Sequence, residues 1–276
     1  MYLLNGESRH SIDISDRGLQ YGDGLFETLE VLNGKPLFWQ QHLARLQKGC
    51  KKLLITCPDT RLLHQEAQQV IKQTQQGVLK IIITRGSGGR GYRLPATSQP
   101  TRLLSLHPKA DFPESYYQQG INMRFCRHRL GLNPDLAGIK HLNRLEQVMA
   151  RSEWQDADIQ EGLMSDTRGF VIEGTMSNIF FVKQKKIYTP ALNLSGVAGI
   201  VRGLVFDIAR NLGVEIIETQ ATAKDIIQAD ELFISNSVIG IWPVARLEKY
   251  SFQVGPLTKR IQQIYQDLRL QQAADD

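Results

Sequence analysis

Cysteine is scarce: Cys50, Cys57 and Cys126 are the only three in 276 residues. No two form a CxxC pair and the odd number leaves one unmatched, so neither a disulfide framework nor a cysteine-built metal site is expected, and a reducing compartment suits such thiols. Long apolar runs are missing as well. The strongest stretch, Val78 to Thr84, is interrupted by Lys80 and is far shorter than the roughly 18 apolar residues that a bilayer-crossing helix needs. The opening MYLLNGESRH lacks the basic leader and sustained apolar stretch of a secretory signal, so a cytoplasmic protein without membrane contact is expected. There is no basic tract either. The 33 Lys and Arg against 28 Asp and Glu give a net charge of +5, but they are scattered and form no stripe interleaved with aromatics. That pattern favours a solvated basic surface, or anionic small molecules held inside, over a nucleic-acid partner. Internal repeats are absent, and so are low-complexity tracts, apart from a frayed end expected over Ala273-Ala274-Asp275-Asp276.

What is present reads as a packed α+β chain, because 42% hydrophobic and 22% charged residues are far from the balance of a disordered one. Gly24 to Leu32 alternates in polarity, and Asn33-Gly34 supplies a tight turn before Lys35 to Trp39, which predicts a hairpin. Leu43, Leu46, Cys50 and Leu53 recur at helical spacing, and a polar helix follows from Thr60 to about Gln75. Strands are expected over Val78 to Arg85 and Thr101 to His107, joined by the loop Gly86-Ser87-Gly88-Gly89-Arg90-Gly91. The stretch after Pro108, with Pro113 and no apolar period, is the best linker. It divides an N-terminal domain (1–110) from a larger one (119–276), with 111–118 between.

In the second part the pattern predicts a strand over Ile121 to Arg127 and a helix from about Leu142 to Trp154, with Leu145, Val148 and Met149 on one face. Strands are expected near Gly169 to Ile172, Asn178 to Val182, Val214 to Glu218 and Leu232 to Ser235. A helix opened by Gly196-Val197-Ala198-Gly199 is closed by Gly213, and a last helix runs from about Pro256 to Gln272.

Few of these residues announce chemistry on their own. Lys140 is one of many lysines, placed among apolar neighbours just ahead of the expected helix; a desolvated lysine forms imines with carbonyl groups readily. Glu173, in Val171-Ile172-Glu173-Gly174, is a carboxylate in an apolar strand, read either as half of a structural ion pair or as the partner of a protonated ring nitrogen. The helix start at Gly199-Ile200-Val201-Arg202 offers backbone N–H groups to a phosphate, although it matches neither a P-loop nor GxGxxG. Arg45 adds a cation on the first long helix. The run from Arg85 to Arg93 sets arginines and Tyr92 on a glycine-rich loop, which suits an anionic ring substrate. His141, beside Lys140, reads as a cap or a surface group.

Together, Ser15-Asp16-Arg17-Gly18-Leu19-Gln20-Tyr21-Gly22-Asp23-Gly24-Leu25-Phe26-Glu27, Ala137-Gly138-Ile139-Lys140-His141-Leu142-Asn143-Arg144-Leu145-Glu146 and Glu173-Gly174-Thr175-Met176-Ser177-Asn178-Ile179-Phe180 resemble the fold-type IV pyridoxal-phosphate enzymes. The similarity covers nearly the whole chain. It implies a two-domain α+β fold like that of the D-amino-acid aminotransferases, with pyridoxal 5'-phosphate between the domains and a homodimer whose partner loops complete the site. The implied cofactor residues are Lys140 as the Schiff-base lysine, Glu173 at the pyridine nitrogen, and Arg45, the N–H groups of Ile200 and Val201 and the Ser237 hydroxyl at the phosphate. Many members have threonine where this chain has Val201, so a side-chain phosphate bond is lost there. The loop from Arg85 to Tyr92 and the context Lys140 to Leu145 look like those of the family's bacterial lyases. The activity implied is cleavage of 4-amino-4-deoxychorismate to 4-aminobenzoate, a folate precursor, and pyruvate, with Arg90 and Arg93 assigned to the substrate carboxylates. The alternatives are a D-amino-acid or branched-chain aminotransferase using the same lysine and glutamate, and a basic binding protein that keeps only the fold.

Overall fold

The computed structural model describes residues 1–274, which separate into two compact units. Met1–Ala110, Ile139–Asn143 and the chain from Gln271 make the first; Asp111–Gly138 and Arg144–Leu270 make the second. The five residues around Lys140 thus return to the first unit from within the second.

The first unit runs β1 (Tyr2–Leu4), α1 (Arg17–Tyr21), β2 (Gly24–Leu32), β3 (Lys35–Pro36), α2 (Trp39–Leu53), α3 (Thr60–Ile71), β4 (Gln76–Thr84) and β5 (Arg102–His107). These strands form an antiparallel sheet in the order β1-β5-β4-β2-β3. Asn33 and Gly34 both take positive φ, 52° and 74°, the geometry that lets a two-residue turn follow the strand twist. Leu25, Leu29, Val31, Leu79, Ile81 and Ile83 are buried, and α2 turns Leu43, Leu46 and Cys50 inward. A Cβ on Gly49 would lie 2.8 Å from both methyl carbons of Leu25, so a larger residue there would force the Leu25 side chain to shift. Helix α3 stops at Ile71, short of the expected Gln75, because the chain is already extended at Gln76 and pairs with Leu32.

The second unit contains α4 (Glu114–Gln118), β6 (Ile121–Leu130), α5 (Leu145–Arg151), β7 (Glu161–Asp166), β8 (Phe170–Gly174), β9 (Asn178–Lys183), β10 (Lys186–Pro190), α6 (Ile200–Asn211), β11 (Ile216–Thr219), β12 (Ala221–Thr222), α7 (Ala223–Ile227), β13 (Glu231–Asn236), β14 (Gly240–Leu247), β15 (Tyr250–Ser251) and α8 (Pro256–Ala274). The sheet order is β11-β10-β9-β13-β14-β6-β7-β8-β12, with β15 on β14. One cluster of buried side chains gathers Ile121, Leu163, Val171, Leu232 and Trp242; a second gathers Cys126, Trp154, Met164 and Ile172. In the stretch expected as linker, Phe112, Tyr116 and Tyr117 stand edge-on to Trp242 with ring centroids 4.8, 5.3 and 6.0 Å away.

Two sequence expectations change. The helix after Lys140 begins at Leu145 rather than Leu142, since Lys140 to Leu142 is extended and bonded to β2: Phe26 N–H donates to Lys140 O (2.9 Å) and Leu142 N–H to Gly24 O (3.0 Å). Leu145, Val148 and Met149 do share a face of α5, but it is exposed, at 77%, 59% and 54%. At the C-terminus Ala273 and Ala274 close α8, with Ala273 buried; Asp275 and Asp276, the rest of the expected frayed end, lie outside the described residues.

Candidate active site

In the first unit Lys140 is half-buried, and its Nζ stands 4.3 Å from the centre of the Phe26 ring. The alternation of β2 that turns Leu25 inward turns Phe26 toward Lys140 and Glu27 toward α2. An ammonium over an aromatic face is electrostatically favoured, so Phe26 fixes the height of the lysine above the strand.

Glu27 is buried and receives Arg45 Nε at 2.8 Å, Arg45 Nη2 at 2.5 Å and His42 Nδ1 at 2.6 Å. Burial alone would raise its pKa, but the adjacent Arg45 charge and the hydrogen bonds from Arg45 and His42 hold the carboxyl down at about 2. His42 too is pushed below its ordinary range, because burial outweighs the pull of Glu27 and the nearby Arg45 and Lys140 cations act in the same sense as burial. A neutral His42 donates through Nδ1, leaving Nε2 as a lone-pair acceptor that is buried without a partner among the described residues. Arg45 and Lys140, both expected at the cofactor, therefore act on one imidazole.

The glycine-rich loop divides its arginines by role. Arg85 is buried and structural: Nε and Nη2 donate to Asp23 (2.7 and 2.9 Å), and Nη1 and Nη2 to the carbonyls of Leu54 and Leu53 (both 2.7 Å). Arg90 and Arg93 are exposed. Arg17 Nη1 donates to Gly91 O (3.0 Å) and its guanidinium lies over Tyr21, whose ring meets Tyr92 edge-on at 5.7 Å. The loop that carries Arg90 and Arg93 is thereby tied down at its tip as well as its root.

In the second unit Glu173 is the penultimate residue of β8 and is buried, with Oε2 accepting the Val197 N–H at 2.8 Å. The chain after it folds over Glu161, whose buried carboxylate accepts from Thr175 Oγ1 (2.5 Å), Ser177 Oγ (2.8 Å) and the N–H groups of Gly162, Thr175 and Met176 (2.8, 3.1 and 3.2 Å). Burial pushes the Glu161 pKa up, and these bonds oppose that shift. Near Glu173 the Arg144 guanidinium is held below its usual range by burial, against the opposing pull of Glu173 and Glu146.

Helix α6 opens at Gly199 with no side-chain cap, and its first two residues are Ile200 and Val201. First-turn N–H groups have no intrahelical acceptor and carry the positive end of the helix dipole, a ready seat for a phosphate. Ser237 is half-buried in the turn between β13 and β14. That turn is tied to the segment after Glu173 by Asn236 Nδ2 donating to Met176 O (3.0 Å), and Ser235 Oγ beside it is buried without a partner among the described residues. Among the sequence-predicted residues, Lys140 and Arg45 thus share the first unit, and Glu173, Ile200, Val201 and Ser237 the second. Sequence reading missed His42 and Glu161, which nothing marks locally, and Glu27 and Asn178, whose only signal is their place in the segments Ser15 to Glu27 and Glu173 to Phe180.

The amino-transferase class IV family profile matches residues 24–247. The aminodeoxychorismate lyase of Vibrio harveyi is 35% identical over 95% of this chain and 98% of its own length. The D-alanine aminotransferase of Bacillus licheniformis is 31% identical over 99% and 98%. The crystal structure of 4-amino-4-deoxychorismate lyase from Pseudomonas aeruginosa superposes with a TM-score of 0.93 at 43% identity, covering 97% of this chain and 98% of that one. With the profile spanning both Lys140 and Glu173, the chain belongs to the amino-transferase class IV family.

Proposed function

We propose that this protein is a pyridoxal-phosphate-dependent lyase that converts 4-amino-4-deoxychorismate to 4-aminobenzoate and pyruvate. The observation that carries the reading is its likeness to lyases across the whole chain, at 43% and 35% identity, against 31% for the D-alanine aminotransferase. The residues suit the cofactor: a half-buried lysine on an aromatic ring, a buried carboxylate, an uncapped helix start and, in the turn after β13, the half-buried Ser237.

Bound pyridoxal phosphate supplies an electron sink for the negative charge that develops on the substrate carbon bearing nitrogen. Lys140 would hold the cofactor through its amine, and that amine, once free, would take the proton from that carbon. Glu173, oriented by the Val197 N–H, would keep the pyridine nitrogen protonated. Arg45, the N–H groups of Ile200 and Val201 and the Ser237 hydroxyl would hold the phosphate; Val201 would contribute no side-chain bond. Arg90 and Arg93 receive the two substrate carboxylates. The enolpyruvyl oxygen leaves as the ring becomes aromatic, the departing enolate takes up at carbon the proton that the Lys140 amine had removed, giving pyruvate, and no second keto acid is consumed.

No helix among the described residues is long and apolar enough to cross a membrane. We place the protein in the cytoplasm, where its three free thiols stay reduced, and infer a homodimer whose interface covers the apolar face of α5. The test of the reaction is incubation of purified protein with 4-amino-4-deoxychorismate alone, scoring both products. Equal amounts of 4-aminobenzoate and pyruvate are expected, with turnover lost in Lys140→Ala. A strict requirement for an added keto acid would make the chain an aminotransferase instead, and unchanged turnover in the variant would remove Lys140 from the chemistry.

A further inference from the structure

We infer that Asn178 is a positioning residue, one that sets the spacing between the carboxylate at the cofactor ring and the helix start at its phosphate. The inference rests on the pyridoxal-phosphate reading above. Asn178 is the first residue of β9 and is buried. Its side-chain amide meets the strap 196–199 twice: Nδ2 donates to Val197 O (2.8 Å) and Oδ1 accepts the Gly199 N–H (3.2 Å). The N–H of the same Val197 donates to Glu173. Val197 is therefore bracketed, with its N–H on the ring-nitrogen carboxylate, its carbonyl on Asn178, and Gly199, one residue short of α6, on the other arm of the same amide.

The strap is also fixed from outside. Gly138 N–H donates to Gly196 O (2.9 Å) and Ala198 N–H to Gly138 O (3.2 Å), two residues before Lys140 in sequence. A Cβ on Gly199 would fall 2.1 Å from Asn178 Oδ1, so the amide lies against the backbone at the point where the helix begins. Only a side chain with one donor and one acceptor on a short stem satisfies both a carbonyl and an N–H two residues apart. Aspartate lacks the donor, and alanine removes the partner of two half-buried backbone groups.

The physical need for such a spacer comes from the cofactor. A rigid ring with one short arm has a fixed distance between nitrogen and phosphate, so a carboxylate and a helix start can both engage only if the protein holds them at matching separation. Asn178 touches neither point of the cofactor on this account. Its loss releases the helix start from Glu173 and costs the phosphate its contribution, while ring recognition survives.

The experiment compares apoprotein titrated with pyridoxal phosphate and with pyridoxal, followed by the absorbance of the bound aldehyde. The ratio of the two dissociation constants reads the phosphate contribution. In Asn178→Ala that ratio should fall about 10- to 100-fold, the range seen when outer hydrogen bonds around metal sites are removed, with pyridoxal affinity close to wild type. Asn178→Asp keeps the shape and the acceptor toward Gly199, so it separates hydrogen bonding from space filling; it too should lose phosphate preference. A ratio unchanged in the folded variants overturns the inference, as does loss of folding in both, which would assign Asn178 to the scaffold. Wild-type protein that binds neither aldehyde defeats the proposed function itself, so the two failures are distinguishable.

Discussion

Glu27 is the residue on which acid tolerance turns. Its carboxyl is held at about 2 against an ordinary value of 4.5, so the ionised form stabilises the fold above about pH 4.5, and that contribution disappears as pH falls toward 2. His42, held below its ordinary 6.5, adds a second loss of the same sign: below pH 6.5 the unfolded chain takes up a proton that the folded one refuses. Denaturant midpoints should therefore start to fall below pH 6.5 and drop more steeply below 4.5; a flat profile between pH 7 and 3 would contradict this account. Glu27→Gln removes the buried carboxylate that receives Arg45 and His42 and should cost about 3 kcal/mol at pH 7, as broken buried pairs do, while flattening the steep acid limb. None of this was legible in the sequence. Glu27 and His42 sit fifteen positions apart on a strand and a helix, and only the crossing of α2 over β2 turns two ordinary residues into one buried network. Lys140 and Glu173 were recognisable because their neighbours form segments shared with a family, not because of any local physical signal.

At the scale of elements, periodicity located the helices and strands that bury one face. The β2–β3 hairpin, α2, β4, β5, α6 and α8 lie close to where alternation or helical spacing predicts them. The elements it missed break local rules. Strand β7, Glu161–Asp166, reads as a polar, glycine-containing stretch, yet every residue in it is buried, and β14 carries Pro243, ordinarily a sign against an interior strand. Proline is tolerated there because pairing of β14 with β6 begins only at Val244. Helix α5 shows the limit of pattern reading in another way: spacing identified the apolar face of Leu145, Val148 and Met149 but not that the chain itself leaves it uncovered. If a second copy covers it, Val148→Glu with Leu145→Glu should raise the dimer dissociation constant at least about a hundredfold, since each buried aliphatic side chain is worth about 2 kcal/mol. Sedimentation would register the halved mass. A wild-type monomer, or an undiminished mass in the double variant, would place the interface elsewhere or remove it.

For the whole molecule, ligand binding and stability are one measurement. A cofactor that binds only the folded chain adds about 2.7 kcal/mol when present at a hundred times its dissociation constant, which corresponds to a rise in apparent Tm of roughly 5–10 °C for a protein of this size. Thermal scans with added pyridoxal phosphate should show that rise in wild-type protein and a smaller one in Lys140→Ala, where the covalent link is gone. Equal shifts in both would mean that Lys140 adds nothing to retention of the cofactor. The division of the chain carries a further consequence. Because Ile139–Asn143 belongs with the first unit and supplies the backbone that bonds the start of β2, a ribosome that has released residues 1–110 has not yet delivered everything that unit is made of. Its final strand contact waits for about thirty more residues to emerge, and during that interval the edge at Leu25 and Phe26 is open to chaperones or to wrong partners.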